Sequence, residues 1–242
     1  MKLLARFAVA AALTSVAAAA SAASVLAQTP QGSYTTNVLG GSAWSNFTSQ
    51  MEASHTVTRT ADFSNLAELL AYDAAWVDQE LFGSLSEAEV ASLQSYIGAG
   101  HRAVLIGENS AWPAWNASVM DVVGGAVTPG CSFDVGAPTV TNALTAGINT
   151  VQNICGSMVQ PTGGAQILFS NSMAALYQVG AGQALVIMDS NWNDNSYIGN
   201  QNNALFAQNV IAWLQPVPEP QTYALMLAGL ASLAALRRRR SL

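Results

Sequence analysis

Charge is what this chain has least of. Only 9% of its 242 residues are charged and 51% are hydrophobic, where an average soluble domain carries roughly 25% charge. Basic residues are almost absent from the body. Lys2 and Arg6 stand at the start, Arg237, Arg238, Arg239 and Arg240 near the end, and only Arg59 and Arg102 lie between. Against these two arginines the chain ahead of Glu219 holds thirteen acids, a net of −11. Such a body cannot neutralise a phosphate backbone, which excludes ordinary nucleic-acid binding. It equally disfavours adhesion to anionic lipid except through the two ends. Histidine and cysteine are scarce as well, two of each, which leaves little for a His-rich metal site. No cofactor is expected.

The N-terminus reads as a secretory signal over residues 1–27. Lys2 and Arg6 form a positive start, Phe7 to Ala20 an alanine-rich apolar stretch, and two small-residue exits follow: Ala20-Ser21-Ala22 and Val25-Leu26-Ala27. This order is that of an export signal rather than a buried helix. The body then spans 28–216.

Residues 217–242 follow a different grammar. Pro218-Glu219-Pro220 breaks any preceding helix. Tyr223 to Leu236 is apolar and four arginines follow it. As a helix that apolar run rises about 21 Å, short of a hydrocarbon core of about 30 Å, a deficit that snorkelling arginines reduce. The arginine block should stay cytoplasmic, placing the body outside the inner membrane. These residues resemble the PEP-CTERM sorting signal. The resemblance implies recognition and removal of the tail by a membrane-embedded exosortase. Delivery to the surface or extracellular polymer matrix of a Gram-negative cell would follow. The partners expected on this basis are the secretion machinery, the exosortase, the inner membrane transiently, and matrix polysaccharide. A plain single-pass anchor is the alternative.

In the body, helical and strand periods alternate. Tyr34 to Leu39 is a candidate strand ending at Gly40-Gly41, and Ala74-Ala75-Trp76-Val77 another. Ser86-Glu87-Ala88-Glu89 is a capping box opening a helix that Gly98 and Gly100 close. Arg102 to Ile106 and Ala184 to Met188 are near-continuous apolar runs, as expected of parallel strands covered on both faces. Ala204 to Leu214 forms a last helix. The pattern predicts an α/β domain with a mostly parallel sheet. Leu85 to Glu89, Val104-Leu105-Ile106-Gly107, Leu144 to Gly147 and Gly182 through Asp189 resemble the flavodoxin-like, class I glutamine amidotransferase-like superfamily, and within it ThuA-like proteins. That resemblance implies a three-layer sandwich.

Residues 126–165 lack a clean period and contain both cysteines, Cys131 and Cys155. In an oxidising compartment these most simply form one disulfide; a catalytic thiol is the alternative. Neither stands at a sharp strand-to-helix turn, nor close in sequence to a base.

In open α/β sheets the ligand crevice lies beyond the carboxyl ends of the strands. This rule selects Gly41, Asp78, Glu108, Asn109, Trp112, Asp189, Asn191 and Trp192. It places His55 and His101, which each precede a strand, on the opposite edge. The amidotransferase-like enzymes carry a cysteine at the turn after a central strand, where this chain has Glu108, so the resemblance does not extend to their hydrolytic chemistry. Glu108 then reads as a cap on the following helix, or as an acid–base partner of Asp78 and Asp189 in a polysaccharide hydrolase. Asp189, Asn191 and Asn193 alternate like calcium ligands. However, Asp194 holds the place of the loop's glycine and Asn200 that of its glutamate, so an Asn-rich turn competes with this reading. Trp44, Trp112, Trp115 and Trp192 fall near the same rim and suit either sugar stacking or core packing. The leading expectation is a non-catalytic exported protein, with carbohydrate binding as a subordinate reading.

Overall fold

The structure, a computed structural model, describes residues 22–29, 36–78 and 83–216. β1 (Ser24–Gln28) leads through a 3₁₀ turn, Ser42–Trp44, and α1 (Ser45–Ser54) to β2 (Thr56–Thr60). There follow α2 (Leu66–Leu69), β3 (Ala74–Val77), α3 (Glu87–Gly98), β4 (Arg102–Gly107) and α4 (Pro113–Val123). Four short strands occupy the aperiodic stretch: β5 (Val127–Ser132), β6 (Val135–Gly136), β7 (Val151–Gln152) and β8 (Gly156–Val159). β9 (Gln166–Ile167), β10 (Ala174–Val179), β11 (Gly182–Met188) and α5 (Asn203–Trp213) complete the order.

Seven strands form one sheet in the order β2-β1-β3-β4-β11-β10-β9. The first five are mutually parallel, and β10 and β9 add on antiparallel. The parallel part has the strand order of a flavodoxin-like, doubly wound fold, whose order reverses between β1 and β3. Strand side chains alternate between two cores. Val25, Ala27, Trp76, Val104, Ile106, Leu185 and Ile187 face α1 and α5, meeting Phe47, Met51, Phe206 and Val210. Leu26, Ala75, Val77, Leu105, Val186 and Met188 face α3 and α4, meeting Leu93, Ile97, Trp115 and Val119. This two-sided burial is why the strands read as unbroken apolar runs.

Local sequence accounts for the helix ends. The Ser86 hydroxyl accepts from the Glu89 N–H while the Glu89 carboxylate accepts from the Ser86 N–H, the reciprocal bond expected of a capping box. Asn65 caps α2 through the Glu68 N–H. α4 stops at Gly124, whose φ of +65° is left-handed and unfavourable for any side chain.

Two sequence expectations change. Of the strand expected at residues 34–39, residues 36–39 form bends and turns, and 34 and 35 lie outside the described residues. The first strand among the described residues is Ser24–Gln28, so a border between residues 27 and 28 falls inside β1. Its apolar residues read as the end of an export signal because buried strands and signal exits share small, apolar composition. β10 has no counterpart among the expected strands either. Its partner β11 follows through the two-residue turn Gly180-Ala181, with Gly180 at φ +57°, a glycine-bearing hairpin turn between two apolar runs. Among the described residues no helix is long and apolar enough to cross a membrane. The apolar segment 223–236 lies outside them.

Cys131 and Cys155 are joined in a disulfide, which staples β5 to the turn before β8. Closing a loop of this size stabilises by about 3 kcal/mol in the chain-entropy account. Equilibrium denaturation of Cys131→Ser/Cys155→Ser should show a loss near that size, and reductant should lower the wild-type midpoint without moving the variant's.

Candidate functional site

The carboxyl ends of three adjacent strands, β3, β4 and β11, each run into an acidic residue: Asp78, Glu108 and Asp189. All three are buried, at 2%, 1% and 0% exposure. Among the described residues none has a cationic hydrogen-bond partner. Backbone amides, hydroxyls and side-chain N–H groups serve instead.

Asp78 accepts from the Leu39 N–H at 2.8 Å and from the Trp76 indole N–H. It thereby holds the 36–41 loop over the sheet. Burial pushes its carboxyl up to about 7, against the opposing pull of those two donors and the more distant Arg59. Glu108 accepts four bonds. Ser190 supplies its hydroxyl at 2.5 Å and its N–H at 3.3 Å, and Asn109 its N–H and side-chain amide at 3.1 Å each. Asn116, from α4, clasps the backbone of the same residue, accepting from the Glu108 N–H at 2.7 Å and donating to its carbonyl at 2.9 Å. Glu108 is therefore no cap on α4, whose N-cap position is held by Trp112. It is a clamp on the turn after β11.

Asp189 adopts φ +99°, in the left-handed region. Its Oδ1 accepts from the N–H and side-chain amide of Asn191 at 2.9 and 2.8 Å, whereas its buried Oδ2 has no partner among the described residues. Burial and then the Glu108 charge push the Asp189 carboxyl well up, while burial raises Glu108 against its donors. The Asn191 donors and the Ile154 N–H oppose that rise at Asp189, as Ser190 and Asn109 do at Glu108.

The remaining sequence-selected residues converge on this edge, but as structure. The Trp44 indole donates to the Ser190 carbonyl at 2.8 Å, and Asn37 donates to Asn191 and Asp194 at 2.8 and 2.9 Å. The 36–44 loop, which includes buried Gly41, is thus tied to the 189–195 loop. Asn109 spends its amide on Glu108 and its carbonyl on the Ala111 N–H. The stapled segment lies against the same edge. A Cβ at Gly156 would collide with the Met188 carbonyl, Asn153 and Asp189, and the Ser110 N–H donates to the Gly130 carbonyl at 2.9 Å.

Several expectations are corrected by burial. Trp192 and Trp44 are wholly buried, Trp115 is 1% exposed, and Trp44, Phe47, Trp76, Trp192 and Phe206 form one aromatic cluster. The rings of Trp192 and Trp44 therefore meet other rings rather than a sugar; Trp112 alone of the four rim tryptophans is part-exposed. Of the calcium candidates Asp189, Asn191 and Asn193, Asp189 Oδ1 and Asn191 Oδ1 both accept from N–H donors, whereas the buried Asp189 Oδ2 and Asn193 Oδ1 have no partner among the described residues. Among the described residues no group of three His, Cys, Asp or Glu converges as metal ligands would. His55 and His101 lie at the amino ends of β2 and β4, as the sequence placed them. Ser190 and Asn116 are the contributors that sequence reading missed. Asn116, one of a helix's polar residues, carries no local sign that it turns inward.

Comparison with known proteins divides the chain. Residues 216–240 match the PEP-CTERM protein-sorting motif, which implies an exported, exosortase-processed protein. The residues quoted for it, Pro218, Glu219, Pro220 and Arg237 to Arg240, lie outside the described residues. No curated protein matches the chain. Solved structures resemble the body. The N-terminal domain of mmIFT52 superposes with a TM-score of 0.63 at 13% identity, over 79% of this chain and 96% of that one. A ThuA-like protein from Parabacteroides merdae gives 0.53 at 12%, over 82% and 94%. A GMP synthase protein from Thermoplasma acidophilum gives 0.52 at 10%, over 79% and 93%. At such identities the likeness is one of fold: flavodoxin-like α/β.

The buried carboxylates predict how stability varies with pH. Asp78 titrates at about 7 when folded and at 3.8 when unfolded, so the folded state binds the proton more tightly. Its stabilising contribution is complete below 3.8 and lost as pH rises towards 7, by about 4 kcal/mol at ~1.4 kcal/mol per unit. Asp189 acts in the same direction. Melting temperature should therefore fall from pH 5 to pH 8, and Asp78→Asn and Asp189→Asn should each flatten that slope; a profile rising over this range contradicts the assignment.

Proposed function

We propose that this chain is an exported cell-surface or extracellular-matrix protein, handed to an exosortase by its PEP-CTERM segment, and that its body is non-catalytic. One observation carries the sorting half of this reading: the match at residues 216–240, which begins three residues after α5 ends at Trp213. The secretion machinery and, transiently, the inner membrane are the partners this route requires. The non-catalytic half is supported by the occupation of the strand ends. Glu108, Asp78 and Asp189 are buried and bonded to the protein's own donors. Glu108 stands where a cysteine nucleophile would be in amidotransferase-like enzymes, and both histidines sit on the far edge. Contact with matrix polysaccharide, if the body makes it, falls to part-exposed Trp112 beside Gly83, Ala111 and Pro113, which line a shallow depression of about 110 Å³.

The expected result of fractionating an exosortase-bearing host is surface protein that has lost the arginine tail, with the tail retained when Pro218-Glu219-Pro220 is replaced by alanines. A tail persisting on mature surface protein overturns the sorting reading. A hydrolysis screen on polysaccharides should find no turnover, and turnover abolished by Glu108→Gln would overturn the non-catalytic one. On a glycan array, signal lost in Trp112→Ala would support the polysaccharide contact.

A further inference from the structure

We infer that the export leader is cut between Ala22 and Ala23, so that Ala20-Ser21-Ala22 and not Val25-Leu26-Ala27 is the processing site. The inference rests on the export reading above and adds its cleavage site. Both tripeptides have the small-residue form that a leader exit requires, and sequence alone leaves them level. The sheet separates them.

Ser24–Gln28 is an internal strand. On one side it pairs with β2 from Ser24↔Thr56 to Gln28↔Thr60, and on the other with β3 from Val25↔Ala74 to Ala27↔Trp76. β2 stands at the sheet's edge and has no other strand neighbour among the described residues. Val25 and Ala27 fill one core and Leu26 the other, at 0%, 0% and 1% exposure. Ser24 is bonded as well: its N–H and hydroxyl both donate to the Asp73 carboxylate at 2.7 Å, and its carbonyl accepts from the Asp73 N–H. A cut after Ala27 would discard all of this except the Gln28–Thr60 pair. β2 would detach, and the site where strand order reverses would vanish. A cut after Ala22 costs none of it.

The burial boundary falls at the same bond. Ala22 is exposed and Ala23 wholly buried. Ala23 is held on both sides, its carbonyl accepting from the Thr56 N–H at 2.9 Å and its N–H donating to His55 Nδ1 at 3.1 Å. His55 Nε2 in turn faces the Ile211 carbonyl at 2.8 Å, which sets the tautomer with the proton on Nε2 and leaves Nδ1 as an acceptor. The amine released by hydrolysis of the 22–23 bond occupies the place of that amide and can donate the same bond. The buried histidine at the amino edge is thus a seat for the mature N-terminus.

N-terminal sequencing of the exported protein, made from the full chain in a Gram-negative host, tests this directly. Ala23 is the expected first residue. Any other first residue on extracytoplasmic protein, Gln28 above all, overturns the cleavage site while leaving export intact. A chain that stays in the cytoplasm with its leader uncut overturns both. Ala22→Tyr places a bulky residue at an exposed position that the fold does not use. It should lower the yield of chains beginning at Ala23 at least tenfold and accumulate uncut precursor. An unchanged yield of that terminus in the variant overturns the assignment.

Discussion

A shortage of cations governs the rest of this structure. With two arginines in the body, a carboxylate withdrawn from water has almost no positive charge to meet. The single ion pair among the described residues, Arg59 with Glu52, lies at the surface. Burying an unpaired carboxylate is expensive, yet three of them end adjacent strands. The chain meets that cost with neutral donors: Leu39 and Trp76 for Asp78, Ser190 and Asn109 for Glu108, Asn191 and the Ile154 N–H for Asp189. Most of these donors belong to irregular loops whose own N–H groups need acceptors. Carboxylates and loops therefore satisfy each other, and the loops over the strand ends are fixed by the acids beneath them.

This exchange explains why the acids at the strand ends are buried among the described residues. In related architectures that edge is left open for ligand. Here the 36–44 loop, the 189–195 loop and the disulfide-stapled strands close over it, and the acids selected as a catalytic constellation serve as anchors for their covering. The likeness to ThuA-like and amidotransferase-like proteins is one of scaffold.

Much of the scaffold is legible in the sequence because its signals are local. The capping box at Ser86, the left-handed glycine at 124 and the two-sided apolar runs at 102–107 and 182–188 each follow from a few neighbouring residues. Which strand ends carry acids is legible for the same reason. What those acids do is not, since Ser190, Asn116 and Leu39 reach them through tertiary packing with no counterpart in spacing. The tryptophans mislead in a related way: an aromatic near a rim and an aromatic beneath it have the same sequence. Residues 24–28 are ambiguous for a like reason, because alanine, valine and leucine suit a membrane-directed exit and a buried strand alike.

The order in which the strands lie has a kinetic consequence. β4 is flanked by β3 and by β11, and β11 comes about eighty residues later in the chain. Parallel pairings over such separations must first overcome loop-closure entropy, and they form slowly. A chain threaded outward from its N-terminus has therefore delivered most of its length before the sheet has a centre. Topology itself favours a polypeptide that stays translocation-competent while it is being exported.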